Sequence, residues 1–279
     1  MLNASVSGRI TEVDARRERP FLEVMADLWR YRDLVIALAA RDIRVRQVQT
    51  VLGAAWILIG PLLTVGVFTL VFGLFVKVPS DGLPYILFYL VAIIPWQAFA
   101  TSLNTSATSI QSGAALMAKI YFPRVAIGVA GALTVWADFA VGFLLIVAVA
   151  SFYGHLTLQL LVLAPILLLI LTSLALGLGL SLAPLSVRYR DVRQLVPLLT
   201  QIYYFTTPVI YPISIVPEWI RPVYAMNPMS VVITGFREAL KGEWPQPTEL
   251  IGALLVAGVV LWFGVSTFVR NERNVVDII

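Results

Sequence analysis

The sequence contains no cysteine and a single histidine, His155. Disulfide frameworks and zinc sites built from several Cys or His ligands are therefore excluded. Charged residues are also scarce, at 13% of the 279 residues, compared with roughly 25% in soluble domains. Hydrophobic residues make up 59% of the chain, and its mean hydropathy is +0.87. A soluble fold of this length cannot bury so much apolar surface. Most of the chain is therefore expected to lie in lipid, which excludes a soluble enzyme or a nucleic-acid binder.

The motifs of common nucleotide-dependent and hydrolytic enzymes are missing as well. A phosphate-binding loop of the form G-x-x-x-x-G-K-[ST] requires a Gly-Lys pair, and the sequence has none. The nucleophile motif G-x-S-x-G is also absent. We therefore expect no enzymatic activity in this chain, and no metal or cofactor bound by it.

Long uncharged runs predict an all-α polytopic membrane protein. A helix needs about 20 mostly apolar residues to cross the roughly 30 Å hydrocarbon core. The runs predict six transmembrane helices in one domain over residues 51–270, at about residues 52–77, 83–104, 125–151, 158–184, 194–212 and 250–269. Pro61, Pro95 and Pro208 are predicted to interrupt three of them.

The distribution of basic residues predicts the orientation. Six spans place both termini on one side, and the segments on that side carry 16 Lys and Arg residues, compared with four on the other side. Cytoplasmic segments are the ones enriched in basic residues. Both termini are therefore expected to be cytoplasmic, including a mobile tail at 1–20 and a tail at 271–279.

Residues 21–50 predict an amphipathic helix at the cytoplasmic interface. Apolar residues recur at steps of three and four, at Val24, Leu28, Tyr31, Val35 and Leu38. One interpretation is a membrane-surface anchor. The other is a lever between the membrane and a cytoplasmic partner.

The segment at 213–247 predicts a short re-entrant helix pair before the last span. Asn227 and Pro228 are typical of a helix start, and Gly242 is typical of a helix end. The residues between them are too apolar for a free aqueous loop, although an ordinary surface loop is the alternative.

Asp138 is the one charged residue in the interior of the predicted spans, since Lys77 lies at the end of the first. Such a residue is a functional candidate, for proton coupling or for a gate. The alternative is a carboxyl that accepts from Thr134 one turn earlier, or from Thr172 or Ser173 on the next span. We favour the alternative, because no other predicted span supplies a partner for a proton relay.

Two further patterns indicate transport. Aromatic and hydroxyl side chains are concentrated near Pro208, a combination that suits sugar rings and their hydroxyl groups, although a membrane-interface belt is the alternative. The cytoplasmic loops KIYFPR (119–124) and RYRDVR (188–193) interleave aromatic with basic residues, as docking surfaces do.

Over residues 25–275 the chain resembles the membrane subunits of type-2 ABC exporters for polysaccharides such as O-antigen. The resemblance is carried by the order of six short motifs relative to the spans: RDIRVRQVQTVLGAAWILIGP (41–61), IIPWQAF (93–99), KIYFPR (119–124), VRYRDV (187–192), TPVIYP (207–212) and NPM (227–229). It implies a permease subunit of the bacterial inner membrane that pairs with a second copy of itself and with two cytoplasmic ATPase subunits. ATP and Mg would bind to those ATPases, and a lipid-linked polysaccharide would be exported through the homodimer.

The resemblance also implies roles for individual residues. The amphipathic helix and the loop at 105–124 would receive the motion of the ATPases. The implied coupling residues are Lys119, Tyr121, Phe122 and Arg124, with Arg41, Asp42 and Arg44 at the hinge into the first span. The implied channel residues are Trp56, Tyr203, Tyr204 and Phe205. Arg188, Arg190 and Asp191 would lie at the cytoplasmic mouth where a lipid pyrophosphate enters, unless Arg190 and Asp191 form only a local structural network.

Two alternatives remain open. The cargo could be teichoic acid or another lipid or small molecule of the same exporter class. The chain could also be a proton-coupled secondary transporter that uses Asp138.

Overall fold

The computed structural model describes residues 21–48, 55–117 and 122–276. At 46–48 and 272–276 it describes the backbone only. The predicted tail at 1–20 lies outside the described residues. In the described ranges all regular structure is helical. The helices are α1 (Phe21–Arg30), α2 (Arg32–Val48), α3 (Trp56–Phe68, continued by a π-helix at Thr69–Phe75), α4 (Tyr85–Ala107), α5 (Ser109–Met117), α6 (Val125–Tyr153), α7 (Leu158–Arg188), α8 (Arg190–Thr206), α9 (Arg221–Met226), α10 (Pro228–Leu240) and α11 (Pro247–Val276).

Five helices among the described residues are long and apolar enough to cross a membrane. They are α3 with its π-helical continuation, α4, α6, α7 and α11. The prediction of an all-helical polytopic membrane protein is confirmed. Pro61 and Pro95 lie inside α3 and α4, as predicted.

The predicted fifth span, at 194–212, differs from the helix that is present. α8 has 17 residues and begins with the charged residues Arg190 and Asp191, so at 1.5 Å per residue it is about 25 Å long. It ends at Thr206, and Thr207 has an extended backbone. Pro208 therefore follows the helix and does not lie inside it. The proline inside α8 is Pro197.

The centre of the molecule is formed by α4 and α7. Consecutive residues from Leu87 to Pro95 are buried on every side of α4, which packs against α3, α6, α7, α8 and α10. Helix α11 lies along α7, and glycines bring the two backbones into contact. A Cβ atom added to Gly264 would lie 2.0 Å from the carbonyl oxygen of Gly177.

The predicted amphipathic helix is present as two helices that meet at Tyr31. In α1, Val24 packs into a cluster with Val125 and Phe268. In α2, Val35 packs with Phe122 and with residues of α6. Helical hydrogen bonds continue across Tyr31, from its amide to the Asp27 carbonyl and from the Val35 amide to its carbonyl, so the two helices follow each other directly.

The segment before α11 contains the predicted helix pair, α9 and α10. The Asn227 side chain accepts a hydrogen bond from the Met229 amide at 3.0 Å, so the predicted start of α10 is confirmed. Gly242 follows the helix with φ of +79°. Helix α10 is buried among α4, α7 and α11, so its apolar surface is covered by protein.

Candidate functional site

A polar cleft of about 450 Å³ lies between α4 and α8. Its walls come from one face of each helix, because the lining positions recur at helical spacing. The lining residues are Trp96, Ala100, Thr101 and Asn104 of α4 with Pro197, Thr200, Gln201 and Tyr204 of α8. We call this the α4–α8 cleft.

The α4–α8 cleft combines amide and hydroxyl groups with aromatic rings and has no charged residue in its lining. Asn104 and Gln201 are exposed. The Tyr204 ring lies 5.1 Å from the Trp96 ring in an edge-on arrangement. Such a surface can hydrogen-bond to hydroxyl groups and contact C–H faces.

A smaller cavity of about 180 Å³ lies between α3, α4 and α6. Trp56, Gln97 and Asp138 line it, and Thr101 lines both this cavity and the α4–α8 cleft. The Thr134 hydroxyl donates to the Gly131 carbonyl at 2.7 Å. The Thr172 hydroxyl donates to the Leu168 carbonyl at 2.8 Å. Both of these hydroxyl protons are therefore used within their own helices.

The predicted channel residues separate into two groups. Trp56 and Phe205 are exposed, at 53% and 57%, and Tyr204 lines the cleft. Tyr203 instead faces the interior, where its ring contacts Trp96 and its hydroxyl donates to the Asn227 side chain. Tyr203 thus contacts the start of α10 and is not part of the lining of the α4–α8 cleft.

Among the predicted coupling residues, Arg41 pairs with Asp42 at 2.8 Å on the surface of α2, and Arg44 donates to the Ala40 carbonyl at 3.2 Å. Phe122 is buried beneath α2, so the expected docking ring faces the interior of this chain. Arg124 is half-buried where α6 begins. Lys119 and Tyr121 lie outside the described residues.

The predicted entry residues Arg188, Arg190 and Asp191 are exposed at the junction of α7 and α8. The Arg188 guanidinium lies 5.4 Å from the Tyr189 ring. No ion pair joins Arg190 to Asp191, both of which belong to the described residues. The alternative of a local network between these two residues is therefore not observed.

A hydrogen-bonded link connects the predicted coupling region with the predicted entry region. The Gln111 amide of α5 donates to the Ser186 carbonyl at 2.7 Å. The Ser186 hydroxyl donates to the Ala107 carbonyl at the end of α4, also at 2.7 Å. The segment after α4 is thereby attached to the end of α7, beside the entry residues.

Arg237 lies in the segment of the predicted re-entrant helix pair, and no motif in the sequence marked it as a functional residue. It is buried in α10, where NH1 donates to the Pro208 carbonyl at 2.7 Å and to the Tyr211 carbonyl at 3.1 Å, and NH2 donates to the Val209 carbonyl at 2.8 Å. Its guanidinium carbon lies 3.6 Å from the centre of the Phe88 ring. Arg237 therefore holds the segment after α8 against α10 and α4. The available signal was its place in the segment between Asn227 and Gly242, which is too apolar for a free aqueous loop.

Proteins of known function resemble this chain over nearly its whole length. An O-antigen export system permease protein RfbA from Myxococcus xanthus is 28% identical over 255 residues, covering 91% of this chain and 97% of the relative. Two proteins of the same name from Klebsiella pneumoniae are 26% and 25% identical, each covering 88% of this chain and 95% of the relative.

The model of the ABC-2 type transporter family matches residues 33–240 of this chain, which is well over half of its length. The match extends from α2 to the end of α10 and includes the α4–α8 cleft. Members of this family are the membrane subunits of transporters and are not themselves ATPases. The chain therefore belongs to the ABC-2 type transporter family, as a multi-pass permease subunit of the bacterial inner membrane that works with a separate ABC ATPase.

Proposed function

We propose that this chain exports a lipid-linked, O-antigen-like polysaccharide across the inner membrane. Two copies would form the pathway, and two partner ATPases would bind ATP and Mg and supply the energy. The names of the relatives support the cargo. The observation that carries the proposal is the α4–α8 cleft, an uncharged polar and aromatic surface within a helical membrane body.

Lipid is an unfavourable environment for the polar wall of this cleft. Amide groups that lack hydrogen-bond partners are costly in an apolar medium, and Asn104 and Gln201 are both exposed in the single chain. Helix α8, which carries Gln201, also has three apolar side chains that are more than half exposed: Leu198, Leu199 and Ile202. A second copy covering these apolar residues would leave the polar wall facing an enclosed path for the glycan.

The structure also supports a proposed topology with six crossings, cytoplasmic termini and a re-entrant pair. Asn227, at the start of α10, contacts Tyr203, which packs on Trp96 in the middle of α4. At the other end of α10, the Ala239 carbonyl accepts from Thr157, between α6 and α7. Helix α10 would thus run from mid-membrane depth to the outer surface, and α8 with the segment after it would complete the fifth crossing.

Coupling to the ATPases would use α1, α2 and the segment at 105–124. The coupling residues proposed are Arg41, Asp42, Arg44, Lys119, Tyr121, Phe122 and Arg124. Phe122 would act by supporting α2, since its ring is buried there. Reversing the charges of Lys119 and Arg124 should prevent co-purification of the ATPase. Intact co-purification and intact export would contradict this assignment.

The cargo proposal is tested by removing the polar wall. Cells that lack the gene are complemented with an Asn104→Leu, Gln201→Leu double variant, and surface polysaccharide is measured on gels of extracted lipopolysaccharide. We expect export to fall at least tenfold, with ATPase co-purification and ATP hydrolysis retained. Ser151→Leu, a polar-to-apolar change on the exposed face of α6, is the matched control and should export normally. Normal surface polysaccharide in the double variant would refute a sugar path through the cleft.

A second candidate, proton-coupled transport, is favoured by the position of Asp138 in the cavity beside Gln97. Asp138→Asn distinguishes the two functions, because it keeps the size and polarity of the side chain but cannot carry a proton. Under ATP-driven export this variant should still deliver polysaccharide. Loss of export with unchanged ATPase coupling would favour proton linkage. If the gene is instead required for the export of teichoic acid or another lipid, the cargo assignment fails while the family assignment stands.

A further inference from the structure

A separate polar cavity of about 260 Å³ lies between α10, the start of α11 and the segment at 213–226, on the side proposed above to face outward. We call it the outer cavity. It shares no lining residue with the α4–α8 cleft. Its polar lining consists of Ser214, Arg221, Tyr224, Ser230, Thr234, Glu238, Gln246 and Glu249.

One wall of the outer cavity is a polar stripe on a helix that is otherwise apolar. Ser230, Thr234 and Glu238 are four residues apart, so they lie along one face of α10. The Thr234 hydroxyl donates to the Ser230 carbonyl at 2.7 Å. The rest of α10, including Val232 and Phe236, is buried in the core. The stripe is therefore more polar than the packing of the helix requires.

Ser230 provides an independent indication of a ligand. Its side chain is 1% exposed and lines the outer cavity, and its hydroxyl has no hydrogen-bond partner among the described residues. Buried hydroxyl groups nearly always have a partner. A ligand with its own hydroxyl groups could donate to this oxygen or accept from it.

The charges of the outer cavity favour a ligand that donates hydrogen bonds. Burial, followed by the neighbouring Glu249 and Glu243 carboxylates, raises the pKa of Glu238, while Lys241 opposes the shift. The cationic Arg221 is engaged with the Val216 carbonyl at 2.9 Å and with the Ser214 carbonyl. Hydroxyl donors in the cavity would stabilise the two lining carboxylates.

The size of the outer cavity distinguishes a sugar from a metal ion. Its volume is that of roughly nine water molecules at about 30 Å³ each, which suits one sugar ring and is far larger than a bare cation. Within the described part of the chain, no group of three or more His, Asp or Glu residues is arranged to hold a metal ion.

We propose that the outer cavity binds one sugar residue of the glycan as it leaves the membrane path. Ser230 and Glu249 hydrogen-bond to its hydroxyl groups, and the Tyr224 side chain forms part of the wall. The proposal rests on the proposed function, because it takes the polysaccharide as the cargo. It adds a binding site on the far side of the membrane from the ATPases.

Binding is measured on the complex of this chain with its ATPase in lipid nanodiscs, by saturation-transfer NMR. The probes are methyl glycosides of the sugars found in the strain's own surface polysaccharide, together with that polysaccharide freed from its lipid. We expect saturable binding of at least one methyl glycoside, weakened at least tenfold by Ser230→Ala and by Glu249→Gln. Glu243→Gln removes a nearby exposed carboxylate that does not line the cavity, so it serves as the matched control and should bind normally.

Several results would overturn the site. The site is refuted if no probe binds saturably, or if all variants bind the probes equally. It is also refuted if the cavity binds calcium, in a way that Glu249→Gln abolishes, while no sugar binds. Binding of the polysaccharide alone would also overturn it, because the cavity accommodates a single ring.

Thermal unfolding shows whether the variants are folded, and the Ser230→Ala variant should unfold no earlier than the parent, because the hydroxyl it loses has no partner. Export in cells separates the two proposals: normal polysaccharide export without sugar binding at the cavity refutes the site but leaves the proposed function in place.

Discussion

Replacing Arg237 by methionine should destabilise the protein far more than the same change at Arg221. Both arginines donate to main-chain carbonyl groups of the outer segment, Arg221 to Val216 and Ser214, and Arg237 to three carbonyls after α8. They differ in burial, because the side chain of Arg221 is 43% exposed, whereas Arg237 is 6% exposed. Water can replace the donors of Arg221 but not those of Arg237.

The expected loss in the free energy of unfolding follows from the carbonyl groups that lose their hydrogen-bond donor. Arg237→Met leaves three carbonyl groups without their donor, at about 1–3 kcal/mol for each buried group. Removing a desolvated guanidinium offsets this by several kcal/mol, and the methionine still packs against Phe88. We expect a net loss of about 2–4 kcal/mol for Arg237→Met, compared with about 0.5 kcal/mol or less for a surface change such as Arg221→Met.

The assay is thermal unfolding in detergent, followed by the fluorescence of the seven tryptophans. A loss of about 2–4 kcal/mol corresponds to a decrease in Tm of roughly 5–15 °C for a domain of this size. Arg237→Lys should recover only part of that loss, because an ammonium group cannot reproduce the planar fork that contacts three carbonyls. Equal decreases in Tm for Arg237→Met and Arg221→Met would refute the reasoning, since burial is the difference on which it depends.

Two other changes test the packing of the helices. Gly264→Ala should destabilise the α7–α11 contact by about 1–3 kcal/mol or more, because its Cβ would meet the Gly177 backbone at 2.0 Å. A Cβ atom at Gly252, on the same helix, would meet no other atom, so Gly252→Ala should leave Tm unchanged or slightly raised. Similar decreases in Tm for both variants would contradict the assigned contact. Tyr203→Phe should lower stability by about 1 kcal/mol, because Asn227 loses a donor, while ATPase co-purification stays unchanged. A normal Tm for this variant would show that the start of α10 does not depend on that hydrogen bond.

The spanning helices could be predicted from the sequence because their signals are local. Apolar runs long enough to cross lipid mark α4, α6, α7 and α11, and Gly154 separates α6 from α7 with a φ of +73° that favours glycine. Asn227 and Pro228 likewise specify the start of α10 through groups within two residues of each other.

The elements that the sequence misplaced depend on distant partners. The apolar pattern continues past Thr206, but the chain leaves the helix there, and the carbonyls that follow are bonded by Arg237, about 30 residues later. The amphipathic segment likewise packs against distant partners, α1 against Phe268 and α2 against Phe122. Neither contact can be read from a local window.

The candidate site shows the same division. The aromatic and polar character of Gln201 and Tyr204 could be recognised from composition near Pro208. The opposite wall, with Trp96 and Asn104, could not be assigned to the same site, because the sequence does not specify which face of α4 meets α8. For the same reason Tyr203, which adjoins Tyr204, was grouped with the cleft although it points into the core.

Arg237 and Asp138 have different surroundings within the helical body, and this difference bears on how the transporter moves. Arg237 bonds three carbonyls and lies against Phe88, so separating it from them would leave all these groups unpaired. That cost exceeds the 1–3 kcal/mol by which a ligand at one site usually biases another. The segment after α8, α10 and the outer half of α4 are therefore expected to move as one unit. Asp138 lines a cavity between helices, where a change in helix spacing alters its surroundings directly. Motion received from the ATPases should accordingly alter the contact of α3 with α4 and α6 before it alters the α8–α10 connection.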